Sequence, residues 1–371
     1  MGPLTGIKVV EVAGIGPAPI AGMMLADLGA DVILVERKSV NPNAAELASY
    51  AKVNMDLSKR GKRSIALDLK DPEDRDVVLS LVARADILIE GFRPGVLERL
   101  GLGPDECFAQ NKKLVYGRMT GWGQTGPLAK AAGHDLNYLA ITGAVHYCGL
   151  NGDTPYPTPT VQGDVGGGAL SLVIGLLSAH LHALRAGRGQ VVDAAICDGA
   201  IYNLALLASA KAQGMLGEQR GGDFFTGGAH WGQTYACADG RYVTVQALEP
   251  GFYRELIRLC GLQDDEVFAN QHDVSNWPAA KEKMAELFSR KTQAQWCELL
   301  EGTDACFAPV LSLSEAVEHP HNVARGNFVD VDGVIQPAPA PKFSVTQQEI
   351  GSAPVPGQHA DEILRELRES T

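Results

Sequence analysis

The sequence predicts an α/β fold with two parts, a Rossmann-like large domain and a smaller α+β domain. Strand-like and helix-like segments alternate along roughly the first 120 residues, a pattern typical of parallel strands joined by helical crossovers. After about Gly214 the composition changes to a stretch rich in Gly and polar residues, which is typical of a linker. We therefore predict a large domain over residues 1–200, a linker over 201–227, a small domain over 228–318, and a return linker with a C-terminal segment that packs on the large domain over 319–371.

The large domain begins with a strand–helix–strand unit. Residues 7–12 form a β-rich run, residues 19–28 have a helical pattern, and residues 31–36 form a second β-rich run. This order predicts parallel strands with a right-handed crossover. A helix follows Asp71-Pro72, because Asp is a good cap and Pro is tolerated at the first helical position. Further strands are predicted at residues 64–69, 86–90 and 114–119, which gives a doubly wound sheet.

The small domain has a different pattern, in which a hairpin comes before the helices. Residues 235–245 read as two strands that turn at Ala238-Asp239-Gly240. Helices are predicted to begin at Gly251 and Pro278, with a strand near residues 306–311. The last predicted helix, residues 360–369, is expected to return to the large domain.

Charge and cysteine content limit the classes of partner and location. The net charge of −12 argues against a nucleic-acid or anionic membrane surface, because both require clustered Lys and Arg. Seven cysteines are scattered without a C-x-x-C motif, which predicts reduced thiols and a cytoplasmic location. The N-terminus runs straight into a strand, so we expect no secretory signal.

The most apolar stretch, residues 167–184, is predicted to be a buried core helix. It contains Ser171, Ser178, His180 and His182. It is also shorter than the roughly 20 apolar residues that a bilayer span requires. We therefore expect no membrane-spanning segment here.

A glycine turn after the first strand raises an alternative function. Gly14-Ile15-Gly16 opens a helix, and Glu36 follows about 20 residues later, as in NAD-binding loops. Pro19 stands at the third glycine position, however, and Pro17 has no N–H to donate to a pyrophosphate. We predict a tight turn that binds no NAD. An NAD-dependent dehydrogenase remains an alternative.

One candidate for chemistry is Gly133-His134-Asp135, which comes just before a helical pattern. His134 is then at or before a helix N-terminus, where Asp135 is a good cap and the first N–H groups lack partners. Those N–H groups and the helix dipole can stabilise an enolate oxygen while a neutral imidazole takes the neighbouring proton. From the tripeptide alone, a capping Asp with an incidental His is the simpler interpretation.

Two carboxylates occupy similar positions at the ends of predicted elements. Asp164 comes before a glycine-rich entry to the apolar helix, and Glu249 lies between a strand and Pro250. Capping alone explains Asp164, and capping or pairing with the helix dipole explains Glu249. Taken together with His134, they supply acid and base groups in three loops, where sites usually lie.

Several motifs identify a family. The sequence resembles the family III CoA-transferases, also called CaiB/BaiF-like proteins, from the first strand to at least Arg325. Within that family the resemblance is strongest to the racemase branch, which acts on 2-methylacyl-CoA thioesters. The segments that carry the resemblance are residues 10–30, Lys62-Arg63-Ser64 with residues 67–70, residues 91–96, residues 120–126, Gly133-His134-Asp135, residues 187–193, Asp304-Ala305-Cys306 and Pro309-Val310.

The resemblance implies an interlocked homodimer, with each active site formed by the large domain of one chain and the small domain of the other. His134 with Glu249 is then one acid/base unit, Asp164 is the opposing one, and the Asp135 backbone N–H faces the thioester oxygen. No metal and no cofactor are implied, since CoA is part of the substrate. The residues implied along the CoA path are Arg37, Leu67, Asp68, Leu69, Lys70, Gly91, Phe92, Arg93, Arg99, Gly133, Asp135, Leu136, Asn137 and Tyr138.

The implied activity is interconversion of (R)- and (S)-2-methylacyl-CoA through an enolate. The main alternative is a CoA-transferase of the same family, with Asp164 as the nucleophile. A transferase has no need of His134, whereas proton exchange does. A CoA-binding protein without catalysis is a weaker alternative.

Some segments depart from the family pattern. His230-Trp231, Gln246 and residues 223–225 differ from it and are expected to lie near the acyl chain, which leaves the acyl specificity open. Residues 39–59 are longer than the pattern and predict a flap near the CoA.

Overall fold

A computed structural model of the chain describes residues 1–38 and 56–369. Most of the predicted flap, residues 39–55, lies outside the described residues. The chain divides into two compact units. Unit 1 comprises Met1–Ala144, Thr158–Asn203 and the segment from Gly326 to the C-terminus, and unit 2 comprises Val145–Pro157 and Leu204–Arg325.

Helices and strands alternate through the first part of the chain. The strands are β1 (Lys8–Val12), β2 (Asp31–Arg37), β3 (Arg63–Leu67), β4 (Ile87–Glu90), β5 (Val115–Thr120), β6 (Val191–Ala195), β7 (Gly232–Ala236), β8 (Tyr242–Gln246), β9 (Phe307–Val310), β10 (Phe328–Val331) and β11 (Val334–Pro337). The α-helices are α1 (Pro17–Asp27), α2 (Pro72–Val82), α3 (Val96–Arg99), α4 (Pro104–Gln110), α5 (Asp135–Ala140), α6 (Leu170–Ala186), α7 (Ile196–Asn203), α8 (Ala205–Ala212), α9 (Pro250–Leu259), α10 (Trp277–Phe288), α11 (Gln293–Leu300), α12 (Leu313–Glu318), α13 (Pro320–Arg325) and α14 (Ala360–Glu369).

Unit 1 is built on a parallel sheet of six strands in the order β3-β2-β1-β4-β5-β6. The order reverses between β1 and β4, and in sheets of this class ligands bind beyond the carboxyl ends of the strands at such a point. Helices cover both faces, so every residue of β4 is buried. That double burial explains why the strands read as continuous apolar runs in the sequence. Helix α14 packs on one face, with Ile363 in the core.

Buried ion pairs join the segment after the undescribed residues to this sheet. Lys62 Nζ lies 2.5 Å from a carboxylate oxygen of Glu11, and neither side chain is exposed. Arg60 pairs with Asp27 of α1 at 2.6 Å, and it also donates to Gln336 of β11. Burial raises the pKa of Glu11 to about 7, against the opposing effect of the Lys62 ammonium. Removing one partner of such a pair would leave a buried charge without a partner, which is strongly destabilising. These contacts therefore hold β1, α1 and β11 together.

The apolar stretch is helical, but the prediction that it is a buried core helix is wrong for one of its faces. Residues Val161–Ala169 form a π-helix that continues directly into α6. Leu172 and Leu176 are fully buried, whereas Ile174 and Leu184 on the other face are each 67% exposed. One face of this helix therefore packs in the core of unit 1, and the other face presents apolar side chains on the surface.

By length and composition, residues Val161–Ala186 could also cross a membrane. Half of the most apolar part is buried inside the protein. A core helix of a soluble protein satisfies the same two criteria, so this property alone does not indicate a membrane protein.

Unit 2 contains the antiparallel sheet β7-β8-β9. Helices pack on it around Trp231 and Trp296, both about 1% exposed. The hairpin between β7 and β8 turns at residues 237–241, where the Gly240 N–H donates to the Cys237 carbonyl. The predicted hairpin therefore lies in this sheet.

The predicted boundaries between the domains differ from those of the two units. Residues 201–227 are not a linker, because α7 continues to Asn203 and α8 covers the Ala- and Leu-rich residues Ala205–Ala212, which favour helix. Unit 2 also includes Val145–Pro157. The Arg220 guanidinium donates to the carbonyl oxygens of His146 (2.8 Å), Leu150 (3.2 Å) and Asp153, which attaches that excursion to unit 2.

Candidate active site

A cleft of about 550 Å³ lies at the carboxyl ends of the central strands of unit 1. This is within the usual size range of a small-molecule site. Seven residues predicted for the CoA path line it together: Arg37, Leu67, Asp68, Leu69, Lys70, Phe92 and Arg99. The sequence analysis did not single out Lys38 and Leu100, which also line it. Four cationic residues, Arg37, Lys38, Lys70 and Arg99, outnumber the two lining carboxylates, Glu36 and Asp68, so the cleft suits a phosphate-bearing ligand although the whole chain is acidic.

A second, adjoining cleft extends the cationic surface. Arg93, Val96, Arg99 and Lys130 line it, and Val96 and Arg99 are shared with the first cleft. Gly91 lies at the end of β4, where a Cβ would come within 3.3 Å of the Ala18 side chain. The predicted residues Gly91 and Arg93 therefore lie next to the same cleft system.

A buried ion pair that the sequence analysis missed holds this loop. One Glu90 carboxylate oxygen accepts the Phe92 N–H at 2.7 Å, and the other accepts Arg118 Nε at 2.9 Å. Arg118 also donates to Glu98 of α3 at 2.8 Å. Burial raises the pKa of Glu90, while the Phe92 N–H and Arg118 oppose the rise. Charged residues inside otherwise apolar strands were the available signal, since such groups stay buried only when they are paired.

His134 lies immediately before α5 and is exposed. Its backbone N–H donates to the side-chain oxygen of Asn137 at 3.1 Å. The prediction that the Asp135 side chain caps this helix is therefore wrong. The cap interaction comes from Asn137, and the Asp135 carboxylate is engaged elsewhere.

Asp135 contacts the loop that carries Asp164. One carboxylate oxygen of Asp135 accepts the Asp164 backbone N–H at 2.7 Å. Burial raises the pKa of the Asp164 carboxyl, the Asp135 charge raises it further, and His134 lowers it. The structure thus brings His134, Asp135 and Asp164 together within unit 1.

Asp164 lies in the first turn of the π-helix, a rare conformation that is often found at functional sites. Glycines allow this wide helix to pack on α7. A Cβ on Gly167 would come within 2.7 Å of the Ile196 carbonyl oxygen, and one on Gly199 within 1.9 Å of the Gly167 oxygen. A side chain at either position would push the π-helix, and Asp164 with it, away from α7.

The Gly14-Ile15-Gly16 turn also borders Asp164. Gly16 has φ of 73°, and a Cβ there would lie 3.4 Å from an Asp164 carboxylate oxygen. The sequence analysis predicted only a tight turn. The structure adds that the turn forms one wall beside Asp164, a proximity between residues about 150 positions apart that no local pattern encodes.

Tyr138 supports the loop that presents His134. Its ring packs where Cβ atoms on Gly121 and Gly133 would clash, at 2.0 and 2.7 Å, and its hydroxyl donates to the Gly133 carbonyl. Trp122 meets the ring edge-on at 4.7 Å between centroids. Burial raises the pKa of the Tyr138 hydroxyl, and Asp164 adds to this. Leu136, on the same helix, is exposed.

Glu249 belongs to unit 2, where it is the residue before α9. Its side chain makes no capping hydrogen bond and is exposed. The simple capping interpretation is therefore wrong for Glu249. Its pairing with His134 stays a prediction.

Two residues that depart from the family pattern are in the core of unit 2. His230 is fully buried and Trp231 is 1% exposed. Tyr253 donates its hydroxyl to the Phe268 carbonyl at 3.1 Å, so it accepts from His230 Nε2 at 2.8 Å. Trp231 donates to the Gln271 carbonyl at 3.0 Å. His230 and Trp231 are therefore core residues of unit 2, and their proximity to the acyl chain stays a prediction.

The described ranges, 1–38 and 56–369, contain no group of three or more His, Cys, Asp or Glu side chains arranged to hold a metal ion. The candidate site of unit 1 instead combines a cationic cleft with an imidazole and two carboxyl groups. That combination defines a class: proteins of Rossmann-like topology that bind a phosphate-bearing ligand next to acid/base or nucleophilic groups.

Comparison with known proteins gives the family: residues 4–360 match the CoA-transferase family III, and the chain belongs to it. The mouse α-methylacyl-CoA racemase is 41% identical over 98% of this chain and 93% of its own length, and the human one is 39% identical over the same shares. A crystal structure of a CAIB/BAIF family protein from Brucella suis matches with a TM-score of 0.84 at 30% identity, covering 99% of each chain. The predicted family and the α/β fold with a parallel sheet are confirmed.

Proposed function

We propose that this protein is an α-methylacyl-CoA racemase, which interconverts (R)- and (S)-2-methylacyl-CoA thioesters. The curated relatives that are about 40% identical over nearly the whole chain carry this name. The observation within the molecule that carries the proposal is the meeting of His134 and Asp164, joined through Asp135, beside a cationic cleft.

In the proposed reaction one group removes the proton beside the thioester carbonyl and the other returns a proton on the opposite face. His134 serves one face and Asp164 the other. The two together carry one exchangeable proton, so the reaction runs well in both directions when their proton affinities are similar. An unperturbed Asp has a pKa near 3.9, and the raised pKa of Asp164 lets this carboxyl hold a proton at a higher pH than that.

The enolate oxygen must also be stabilised, since an α-proton of a thioester is a weak acid. We assign this to the Asp135 backbone N–H, and one such donor is typically worth about 3 kcal/mol. Helix α5 has only six residues, so we expect its dipole to contribute less than this single hydrogen bond. The reaction requires no metal and no cofactor beyond the CoA of the substrate.

The CoA moiety is proposed to occupy the cationic cleft, with the remaining predicted residues near the thioester. Arg37 is exposed at the end of β2 and lines the cleft, where its guanidinium can pair with a phosphate. Glu249 is proposed to pair with His134 from the small domain of a second chain. An interlocked homodimer provides this arrangement.

The open face of unit 1 supports the homodimer. Four large apolar side chains are more than half exposed along α6 and α7: Ile174, Leu181, Leu184 and Ile201. Ile174, Leu181 and Leu184 share one face of α6, and exposed apolar side chains of this kind are typical of a protein interface. We also propose a cytoplasmic location and, given the net charge of −12, no nucleic-acid or membrane partner.

Replacing Arg37 with alanine is expected to raise KM for the CoA thioester by roughly 10- to 100-fold, because a charge-assisted hydrogen bond is worth about 1.5–3 kcal/mol. kcat should change much less, since Arg37 is proposed to contact a phosphate of CoA and not the reacting carbon. Steady-state kinetics measure both. Arg290→Ala, at an exposed ion pair of unit 2, is the matched control. A loss confined to kcat would remove Arg37 from the phosphate site.

Deuterium exchange tests the proposed function. Each enantiomer of a 2-methylacyl-CoA is incubated with the protein in deuterated water without any acceptor acid. We expect deuterium at the α-carbon and formation of the other enantiomer.

A CoA-transferase is the alternative function, as the family name indicates. In this alternative the half-buried Asp164 attacks the thioester. The rival predicts no deuterium at the α-carbon, but CoA transfer to added free acids. Binding of the thioester with neither reaction would indicate a CoA-binding protein, and NADH binding in a fluorescence titration would indicate a dehydrogenase.

A further inference from the structure

The Asp135 carboxylate has a contact of its own. This contact is separate from helix capping and from the role proposed for the Asp135 backbone N–H. It accepts the Asp164 N–H at 2.7 Å across 29 residues of sequence. The contact depends on Gly163, since a Cβ there would lie 2.1 Å from the accepting oxygen and 2.8 Å from the carboxyl carbon. Gly163 is buried and Asp135 is partly buried. This is therefore a close-packed joint between α5 and the π-helix.

The joint lies between the two groups that are proposed to move protons. Asp135 directly follows His134, whose own N–H is held by Asn137. The accepted N–H belongs to Asp164 itself. Two hydrogen bonds thus help to set the relative position of His134 and Asp164. One joins the His134 N–H to Asn137, and the other joins the Asp164 N–H to Asp135.

We propose that Asp135 is a positioning residue, whose carboxylate fixes Asp164 opposite His134 by holding the Asp164 backbone N–H. This rests on the proposed racemase function, because two groups on opposite faces of one carbon must both be placed accurately. Displacing a reacting group by about 1 Å can cost about 100-fold in rate. A side chain that binds the backbone of one acid/base residue and adjoins the other provides that accuracy.

The charge of Asp135 has a second, consistent consequence. Burial is the first cause of the raised pKa of Asp164, and the neighbouring Asp135 charge is the second. Asparagine at position 135 would still offer a carbonyl oxygen to the Asp164 N–H but would carry no charge. It therefore separates the hydrogen bond from the charge.

The test compares Asp135→Ala with Asp135→Asn. We expect Asp135→Ala to lower kcat by about 10- to 100-fold and to change KM by less than about threefold, because only the placement of the reacting group is lost. We expect Asp135→Asn to restore most of kcat. Its pH profile should shift so that the ionisation of Asp164 occurs at lower pH, since the repelling charge is gone.

Two further variants guard against a trivial loss of folding. In Gly163→Ala the new methyl group would displace the Asp135 carboxylate. This variant should reproduce the kcat loss although Asp135 and Asp164 are both unchanged. Asp105→Ala, another aspartate in the first turn of a short helix, should have no effect. Amide hydrogen exchange of the peptide that contains residue 164 gives a readout independent of activity. It should accelerate in Asp135→Ala and Gly163→Ala and stay slow in Asp135→Asn.

Two results would overturn the proposal. One is wild-type kcat in Asp135→Ala. The other is an equal loss in Asp135→Ala and Asp135→Asn while the residue 164 amide stays protected in both. If the wild-type protein itself exchanges no α-proton, the proposed function fails, and the amide-exchange comparison still reports on the joint.

Discussion

Replacing His134 with alanine is expected to lower the rate of racemisation by about 10²- to 10⁴-fold, the usual contribution of a positioned acid/base group. The variant should fold normally, since surface substitutions usually change the free energy of unfolding by less than about 0.5 kcal/mol and His134 is exposed. CoA-thioester binding should also survive, because the cationic cleft is lined by other residues. The loss should therefore fall on kcat.

Deuterium exchange of each enantiomer makes the His134 test specific. Without His134, the enantiomer whose α-proton points toward Asp164 can still exchange with retention, whereas the other should not exchange. His321→Ala, at an exposed histidine of α13, is the control and should behave as wild type. Unchanged racemisation by the His134 variant would refute its role.

Replacing Asp164 with asparagine is expected to have an effect of the same size, about 10²- to 10⁴-fold, on the opposite face. The amide has nearly the same shape and leaves the backbone N–H bonded to Asp135, so the loss reports on proton transfer rather than on misplacement. Residual exchange should now be confined to the enantiomer that His134 serves.

The Asp164 variant also separates racemase from transferase. Asparagine cannot act as the carboxylate nucleophile, so a transferase would lose all activity and show no enantiomer-dependent exchange before or after the change. Asp105→Asn is the matched control. Normal exchange of both enantiomers by the Asp164 variant would contradict the assignment.

The pH dependence of the reaction should reflect the raised pKa of Asp164. The direction starting from the Asp164 face requires its carboxylate, so this direction should fail as pH falls through that raised pKa. The reverse direction requires the protonated acid and should weaken as pH rises through it.

The parallel sheet could be predicted because its strands are buried on both faces, and such strands appear in the sequence as apolar runs that end at short turns. The predicted strand at residues 31–36 is β2 to within one residue, and the predicted helix at 360–369 coincides with α14. Both segments carry strong local patterns, and such patterns dominate when burial and propensity agree.

The features that were missed depend on contacts between distant parts of the chain. The Arg220 contacts place residues 145–157 in unit 2, and the Asp164 N–H takes the Asp135 carboxylate away from capping. His230 Nε2 and the Trp231 indole N–H find partners inside unit 2. A local pattern specifies none of these pairings, so capping was the default expectation for Asp135.

The residues of the candidate site could be predicted from the sequence, but the contacts that hold them in place could not. The resemblance supplied His134, Asp164 and most of the cleft residues. It did not supply the π-helix under Asp164 or the wall at Gly16, since both require knowledge of which glycines meet which backbone. The residues that meet at the candidate site were thus foreseen, and the elements that hold them were not.

A crystal structure with an unreactive analogue of a 2-methylacyl-CoA would test the central claim most directly. We predict that the α-carbon lies between the imidazole of His134 and the carboxyl group of Asp164, on opposite faces and each about 3–3.5 Å away. The thioester oxygen should accept the Asp135 backbone N–H. A complex in which both groups lie on one face of that carbon, or in which His134 is remote from it, would contradict the proposed mechanism.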